Sequence, residues 1–338
     1  MKNLSSAALK TEANRIYILN QKVLPHKEEW VECATIDDMY NCILELKVRG
    51  APLIGVAAAL SLAQYAQQGC SLEDFKKAAH KLRSARPTAV NLMAAVDLFL
   101  PLEKMDVEKI NLMAEKFFND DVELCEKIST AGATLINDGD RILTHCNAGA
   151  LATAGLGTAI GVITKAWQQN KKIHVYVDET RPLLQGGRLT AWEMKRLGIP
   201  YTLICDNMAA SLMKQKKVDK AIVGADRIAL NGDFANKIGT YSVALACHYH
   251  KLDFYVAAPR TTVDPQCLHG DQIEIEERSA AEVLGVAVGS QEVSWSPSGT
   301  KVWNPAFDVT PHALVTKWIL DSGVYSPEDV RSGKLRPS

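Results

Sequence analysis

Alternating hydrophobic and polar runs organise the second half of the chain. From Arg141 onward, short runs rich in Ile, Val, Leu and Tyr alternate with segments whose apolar residues recur at helical spacing. The predicted strands are Arg141–Cys146, Lys172–Asp178, Tyr201–Cys205, Lys220–Val223 and Phe254–Ala257, and the predicted helices lie near residues 150–168, 188–197, 207–215 and 236–250. This alternation predicts crossover helices around a parallel sheet, and therefore an α/β fold with a Rossmann-like sheet.

The first half of the chain has a mainly helical pattern after one strand-like run at Arg15–Leu19. Apolar residues at helical spacing predict helices at residues 35–48, 56–69, 71–84, 91–99 and 106–138, the last with a break near residue 120. We therefore expect a smaller, mainly helical N-terminal domain at residues 1–130. The Rossmann-like α/β catalytic domain is expected at residues 131–338.

Composition and charge narrow the classes of function. The 338 residues include 38 Lys and Arg against 39 Asp and Glu, which gives a formal net charge of -1. The chain therefore has no excess of positive charge that would indicate binding to nucleic acid or to an anionic membrane. The N-terminus lacks an apolar core of signal-peptide length, and no apolar run is long enough to span a bilayer. We therefore expect a cytoplasmic protein.

Motif searches exclude the common cofactor and metal sites. The eight scattered cysteines form no CxxC pair, and the eight histidines show no ligand spacing, so no metal site is predicted and the thiols are expected to be reduced. The sequence contains no HExxH, Walker loop, GxSxG or Rossmann GxGxxG fingerprint.

Cys146 is the residue around which the candidate chemistry is organised. It ends the strand that begins at Arg141, and the small residues that follow are predicted to open a glycine-rich helix. Free amide groups at a helix start favour an anion, and they would also favour the thiolate. The alternative from this stretch alone is a structural cysteine, since buried free thiols commonly act as small hydrophobes.

A carboxylate and an anion site are predicted farther along the chain. Asp226 follows the strand Lys220–Val223 among small and apolar flanks, where burial would raise its pKa and allow it to act as a general acid. Asn236 and Lys237 are expected near a helix N-terminus, where a cation is unfavourable unless a bound anion offsets it. The alternatives are a structural Asp paired with Arg227, and a solvated surface Lys.

Further polar groups that suit a phosphate or a polyol occur in three other segments. The loop after Asp178 carries Arg181, Gln185 and Arg188, although it is also compatible with an ordinary strand-to-helix turn. Arg49 and Arg86 precede small or proline-restricted positions, and a guanidinium can bind phosphate with two hydrogen bonds. Each arginine taken singly is better explained as a surface or salt-bridge residue.

Six motifs together resemble those of the methylthioribose-1-phosphate isomerase family. They are RGAPLIG at 49–55, RPTAVNL at 86–92, THCNAGALATAGLGTA at 144–159, VDETRPLLQGGRLTAWE at 177–193, GADRIALNGDFANKIGTY at 224–241 and NPAFDVTP at 304–311. The resemblance implies an aldose–ketose isomerase of methionine salvage, usually a homodimer, which converts 5-methylthioribose 1-phosphate to 5-methylthioribulose 1-phosphate without a metal or nucleotide cofactor. The family shares its fold with regulatory subunits of a translation-initiation exchange factor and with ribose-1,5-bisphosphate isomerases.

The resemblance also implies which residues bind and react. The thiol of the family corresponds to Cys146 and its acid to Asp226, and the substrate contacts correspond to Arg49, Gly50, Ala51, Arg86, Gln185, Asn236 and Lys237. Asn20-Gln21 departs from the Asp-Gln that the family often has before its early Leu-Pro, which leaves the preferred 5-substituent of the sugar open. The alternatives are an isomerase of 5-deoxyribose 1-phosphate or ribose 1,5-bisphosphate, and a non-catalytic subunit that senses a sugar phosphate.

Overall fold

The chain folds into a mixed α/β structure with two compact units. The computed structural model describes residues 1–86, 90–288 and 291–336. The first unit contains Met1–Leu135 and Asn147–Gln168, and the second contains Ile136–Cys146 and the chain from Gln169 onward. A seven-stranded, mostly parallel sheet in the second unit confirms the predicted α/β class.

Within its described residues, the first unit combines six helices with a small antiparallel sheet. Its strands are β1 (Leu9–Glu12), β2 (Arg15–Leu19) and β3 (Trp30–Cys33), paired in the order β1-β2-β3. Its helices are α1 (Ile36–Leu44), α2 (Ala51–Gln67), α3 (Leu72–Ser84), α4 (Val90–Asp97), α5 (Val107–Ala133) and α6 (Ala159–Gln168). The strand predicted at Arg15–Leu19 is confirmed, whereas its two partners were not predicted.

Helix α2 is the centre of the first unit, because its alanine-rich sequence is buried on nearly every side. It packs against α4 and α5, and α5 packs in turn against α6. The predicted break of α5 near Asp120 is wrong. The helix continues because Asp120 pairs on its surface with Lys116, while Asp121 accepts a hydrogen bond from the N–H of Ala154 instead of competing for the helix backbone.

The second unit is built on the predicted sheet. Its strands are β4 (Arg141–Thr144), β5 (His174–Asp178), β6 (Tyr201–Ile204), β7 (Lys220–Val223), β10 (Asp253–Ala257), β14 (Lys317–Leu320) and β15 (Gly323–Tyr325). They lie in the order β15-β14-β10-β7-β4-β5-β6, and only β15 runs antiparallel to its neighbour. Strand β4 lies between β7 and β5, so the residues that follow these three strands meet at one edge of the sheet.

A second, three-stranded sheet carries part of the candidate site. It pairs β8 (Arg227–Ile228), β9 (Phe234–Lys237) and β13 (Phe307–Thr310) in the order β13-β9-β8. The helix predicted at 236–250 therefore begins later, at Thr240, because Asn236 and Lys237 pair as a strand with Asp308 and Phe307. That pairing joins segments about 70 residues apart, so local spacing did not indicate it.

In the part of the second unit that the structure describes, five α-helices and one hairpin accompany the two sheets. The helices are α7 (Ala191–Leu197), α8 (Ala209–Lys214), α9 (Thr240–His250), α10 (Ala281–Leu284) and α11 (Pro327–Arg331), and the hairpin pairs β11 (Gly285–Val288) with β12 (Gln291–Ser294). The buried aromatic side chains of Phe234, Phe254 and Trp318 anchor its core. Within the described residues, no helix is both long and apolar enough to cross a bilayer. Residues 87–89 of the RPTAVNL motif fall outside the described residues.

Candidate active site

Cys146 lies two residues beyond β4, in a backbone conformation that a side chain rarely adopts. Its φ is 68°, which is the left-handed region. Its N–H donates to the Thr180 hydroxyl at 2.8 Å, and the Thr190 hydroxyl donates to its carbonyl at 2.6 Å. Both threonines are fully buried, so they hold the strained backbone of Cys146 from two sides.

The environment predicted for the thiol was wrong in one respect. Helix α6 begins only at Ala159, and residues 147–158 form a loop in which Gly157, with a φ of 94°, bridges to Gly149. The small apolar residues of this loop resemble a helix in pattern, but Gly149 and Gly157 approach so closely that a side chain at Gly157 would overlap the backbone of Gly149. Cys146 is therefore not at the N-terminus of α6.

The segment from Thr180 to Thr190 forms a wall beside Cys146. Thr180 has a φ of 65°, and Gly186–Thr190 forms a π-helical turn ahead of α7. A Cβ at Gly186 would lie 1.7 Å from the Asp178 carbonyl oxygen, so only glycine fits there. Gln185 is buried on this wall, and its Oε1 has no hydrogen-bond partner within the described residues. A buried amide oxygen left in this way is available to a ligand hydroxyl.

The two arginines of the same segment make local contacts. The Arg181 guanidinium donates to the carbonyls of Pro182 and Val283 and lies 5.0 Å from the ring centre of Trp295. Arg188 donates to the Leu183 carbonyl at 3.3 Å. Their guanidinium groups therefore stabilise the segment and its neighbouring hairpin.

Asp226 follows β7 and lies at the same edge of the sheet as Cys146, because β7 and β4 are adjacent and parallel. Its N–H donates to the Ala235 carbonyl at 2.9 Å, which ties it to β9. The predicted burial is wrong, since Asp226 is exposed in this chain. The neighbouring Arg227 pairs with Asp264 at 3.5 Å.

Asn236 and Lys237 are buried on β9, and the helix-dipole argument for Lys237 therefore does not apply. The Lys237 ammonium donates to the Ala306 carbonyl at 2.8 Å and lies 4.3 Å from the ring centre of Phe307. Asn236 donates its amide to the Thr240 hydroxyl, which donates in turn to the Lys237 carbonyl. These bonds fix both candidate residues at the entrance to α9.

A buried histidine connects this entrance to the strand that carries Cys146. His145 Nδ1 lies 3.0 Å from Asp178 Oδ2, and its Nε2 lies 2.9 Å from the Ile238 carbonyl oxygen. Burial raises the pKa of Asp178 to about 6, although His145 opposes the shift. Burial would lower the pKa of His145, but Asp178 outweighs it and leaves that pKa raised.

Asp206 completes the cluster. It lies close enough to His145 and Asp178 that the three could hold a metal ion. Its two carboxylate oxygens, however, each accept a backbone N–H at 2.7 Å, from Thr180 and Arg181. Hydrogen bonds thus account for both nitrogens of His145 and both oxygens of Asp206 without an ion.

In the first unit, the RGA motif docks onto the loop that follows Cys146 in the chain. Arg49 donates to the Asn147 side chain at 2.7 Å and to its carbonyl at 2.9 Å. Gly50 has a φ of 92° and precedes Ala51, the first residue of α2, and a Cβ at Gly50 would lie 2.4 Å from the Ala152 Cα. Arg86 follows α3 and lies beyond its last turn.

The sequence did not indicate five residues that support the candidate site: His145, Asp178, Thr180, Thr190 and Asp206. Asp178 carried a usable signal, because it is a carboxylate at the end of a buried strand, which was the reason for selecting Asp226. The threonines carried none, since a hydroxyl that supports a backbone group is indistinguishable in sequence from any other buried threonine.

Comparison with known proteins places the chain among sequences of one family. Residues 47–327 match the model of the initiation factor 2 subunit family. The chain is 52% identical over 336 residues to a methylthioribose-1-phosphate isomerase of Serratia proteamaculans, with 98% of each chain covered. It is 53% identical over 338 residues to the enzyme of the same name from Yersinia pestis, covering 99% of this chain and 97% of that one.

Solved structures of the same fold carry two kinds of name. The 5-methylthioribose 1-phosphate isomerase of Pyrococcus horikoshii OT3 is 39% identical, with a TM-score of 0.89 and coverage of 98% of this chain and 96% of that one. The translation initiation factor eIF-2B subunit delta of A. fulgidus is also 39% identical, with a TM-score of 0.86 and coverage of 98% and 99%. Similarity to solved structures alone therefore does not separate an enzyme from a regulatory subunit.

Proposed function

Because the chain belongs to the initiation factor 2 subunit family, and is about half identical over its whole length to curated methylthioribose-1-phosphate isomerases, we propose that it is such an isomerase. It converts 5-methylthioribose 1-phosphate to 5-methylthioribulose 1-phosphate in methionine salvage. The observation that carries the proposal is local to the second unit. A thiol in a strained conformation and a carboxylate follow adjacent parallel strands, beside a buried amide and a buried ammonium.

The proposed chemistry begins with ring opening. The phosphate on C1 locks the sugar as a closed acetal, so the ring oxygen must be protonated before the C1–oxygen bond of the ring can break. We assign this proton to Asp226. Since Asp226 is exposed in the chain alone, bound substrate would have to cover the carboxyl for it to act as this acid.

The second step moves one hydrogen from C2 to C1 and converts the C2 hydroxyl into the ketone, and the proton of that hydroxyl returns to the Asp226 carboxylate that the first step left. The Cys146 thiolate either takes the C2 proton, through an enediolate, or stabilises a direct hydride shift. Both routes conserve the atoms and electrons of the sugar, so the reaction needs no external oxidant or reductant. The hydroxyl contacts of Thr180 and Thr190 fix the backbone of Cys146 and so orient its thiol for this step.

The remaining candidate residues are assigned to binding. In the second unit, Gln185 offers its buried Oε1 to a sugar hydroxyl, and Asn236 and Lys237 provide donors for the phosphate. In the first unit, Arg49, Gly50, Ala51 and Arg86 are assigned to the substrate from the family motif. This assignment corresponds to a helical N-terminal domain at 1–130 that contributes arginines and an α/β catalytic domain at 131–338.

A regulatory subunit is the second candidate, because one solved relative of equal identity bears the name of a translation initiation factor subunit. The greater identity to curated isomerases, together with the presence of Cys146 and Asp226, favours the enzyme. The family resemblance also supports a homodimer. Light scattering should then give twice the chain mass of 37.0 kDa.

A panel of substrates tests the proposed function. Purified protein is incubated with the 1-phosphates of 5-methylthioribose, 5-deoxyribose and ribose, and with ribose 1,5-bisphosphate, and ketose formation is followed by NMR. We expect the highest kcat/KM for 5-methylthioribose 1-phosphate. A higher value for another sugar would reassign the substrate, and the absence of turnover with all four would favour the regulatory subunit.

A further inference from the structure

His145 and Asp178 form a buried pair for which the proposed reaction has no role yet. Both side chains are completely inaccessible to solvent. The Ile238 carbonyl at 2.9 Å from His145 Nε2 can only accept, so Nε2 must carry a hydrogen. The contact between Nδ1 and Asp178 Oδ2 at 3.0 Å then requires one more hydrogen, which the two groups share.

The surroundings keep this one shared proton on the pair. Asp178 Oδ1 is buried and has no hydrogen-bond partner within the described residues, which costs less for a neutral acid than for a carboxylate. The charges of Glu179 and Asp206 raise the pKa of Asp178, and Asp206 also raises that of His145, while His145 in turn lowers the pKa of Asp308 against the effect of burial. Burial raises the pKa of Asp178, and although burial alone would lower the pKa of His145, Asp178 leaves it raised, so both shifts favour a pair that retains one shared proton.

The pair connects three parts of the second unit. His145 directly precedes Cys146, Asp178 ends the neighbouring strand β5, and Ile238 directly follows Lys237. The imidazole also packs on Gly239, where an added Cβ would lie 2.8 Å from His145 Cε1. A shift of the ring would therefore move the Cys146 backbone relative to the strand that carries Asn236 and Lys237.

We propose that His145 and Asp178 are a positioning pair that aligns the Cys146 thiol with the Asn236–Lys237 strand. Neither residue touches the substrate. The pair acts by fixing the spacing between the end of β4 and the entrance to α9, and it works through hydrogen bonds rather than through a net charge. The inference rests on the proposed function, because it takes Cys146 as the reacting thiol.

Three variants break or keep the two hydrogen bonds separately. Asp178→Asn keeps both, because its amide can donate to Nδ1 while Nε2 still donates to Ile238. Asp178→Leu removes the bond to Nδ1 with little change in volume. His145→Gln places an amide near the position of Nε2, so it keeps the Ile238 contact and loses the Asp178 contact.

Two measurements are made on each variant. The first gives kcat and KM for 5-methylthioribose 1-phosphate, and the second gives the rate at which iodoacetamide alkylates Cys146, determined by peptide mass spectrometry. Cys205 is exposed and serves as the internal reference for alkylation. In Asp178→Leu and His145→Gln we expect kcat to fall by about 10²-fold, as for a misplacement of about 1 Å, with a much smaller change in KM. The Cys146 alkylation rate should change, and that of Cys205 should not.

Asp178→Asn should retain most of kcat and the wild-type alkylation rate. Wild-type values in His145→Gln, or in a folded Asp178→Leu, would overturn the proposal. A 10²-fold loss of kcat in Asp178→Asn with an unchanged melting temperature would also overturn it, because the exchangeable proton would then matter more than the position. If the wild-type protein turns over no sugar phosphate, the proposed function fails, while the alkylation rates still test the pair.

Discussion

Asp121 provides a prediction whose size can be worked out from the structure. It lies on α5 with only 8% of its surface exposed, and it accepts the Ala154 N–H at 2.6 Å. Burial raises its pKa from 3.8 to about 6, against the opposing effect of that hydrogen bond. The shift is about 2 pKa units at about 1.4 kcal/mol each, so the ionised carboxylate costs the folded state about 3 kcal/mol at neutral pH.

The sign of the pH dependence follows from proton binding. Between pH 3.8 and about 6, the folded chain binds more protons at Asp121 than the unfolded chain does, so the free energy of unfolding falls as the pH rises through this window. Asn cannot ionise, and its Oδ1 can still accept from Ala154. We therefore expect Asp121→Asn to be more stable than the wild-type protein by about 3 kcal/mol at pH 7.5, and by only about 1 kcal/mol at pH 4.5.

Urea unfolding followed by circular dichroism, at one protein concentration and at both pH values, measures these differences. Asp120→Asn is the matched control, because Asp120 is the preceding residue of the same helix but lies on its surface and pairs with Lys116. The control should be slightly less stable than the wild-type protein, not more. The reasoning is refuted if Asp121→Asn is less stable than wild type at pH 7.5, or if its advantage does not grow with pH.

Three further predictions follow from particular contacts. Gly50→Ala should destabilise the chain by about 2–5 kcal/mol in urea unfolding, because its Cβ would overlap the neighbouring loop and its φ is positive. Gly69→Ala, with a φ of 85° and open space around it, should cost only about 1–2 kcal/mol. Equal losses of stability in the two variants would contradict the overlap at Gly50. Burial opposes the lowered pKa of Asp233, but hydrogen bonds from two backbone N–H groups and two side chains outweigh it. The ionised Asp233 should therefore stabilise the fold at neutral pH, and this stabilisation should be lost as the pH falls below about 4. If the loss of unfolding free energy in Asp233→Ala does not shrink in acid, the lowered pKa of Asp233 is contradicted. Asp226→Asn should bind substrate with nearly unchanged KM while kcat falls by ~10²-fold or more, and an ordinary kcat in steady-state assays would remove Asp226 from the proposed mechanism.

Five of the seven strands of the main sheet, β4 to β7 and β10, were predicted because each is a short run rich in apolar residues, whereas β14 and β15 were not predicted. The sheet then dictates which chain ends meet, so the positions of Cys146 and Asp226 at adjacent strand ends follow from β4 and β7. The family resemblance, taken from six motifs, is confirmed by the full-length identity to curated relatives. The proposed roles of the site residues stay predictions.

Other parts of the fold depend on pairings that leave no local pattern. Strand β9 was read as the start of α9, because only its pairing with β13 makes it a strand. The loop at 147–158 has the composition of a buried helix, and close contact of Gly157 with Gly149 decides against one. The link between His145 and Asp178 joins residues 33 positions apart, which no spacing rule for helices or strands anticipates.

The central claim is that this chain is an isomerase whose reacting thiol is Cys146. The most direct measurement is the rate of conversion of 5-methylthioribose 1-phosphate by Cys146→Ser, beside Cys205→Ser as a control at an exposed thiol outside the proposed site. A serine hydroxyl is far less acidic than a thiol, so Cys146→Ser should fold normally and lose most of its turnover, while Cys205→Ser retains the wild-type rate. Wild-type turnover in a folded Cys146→Ser protein would contradict the account.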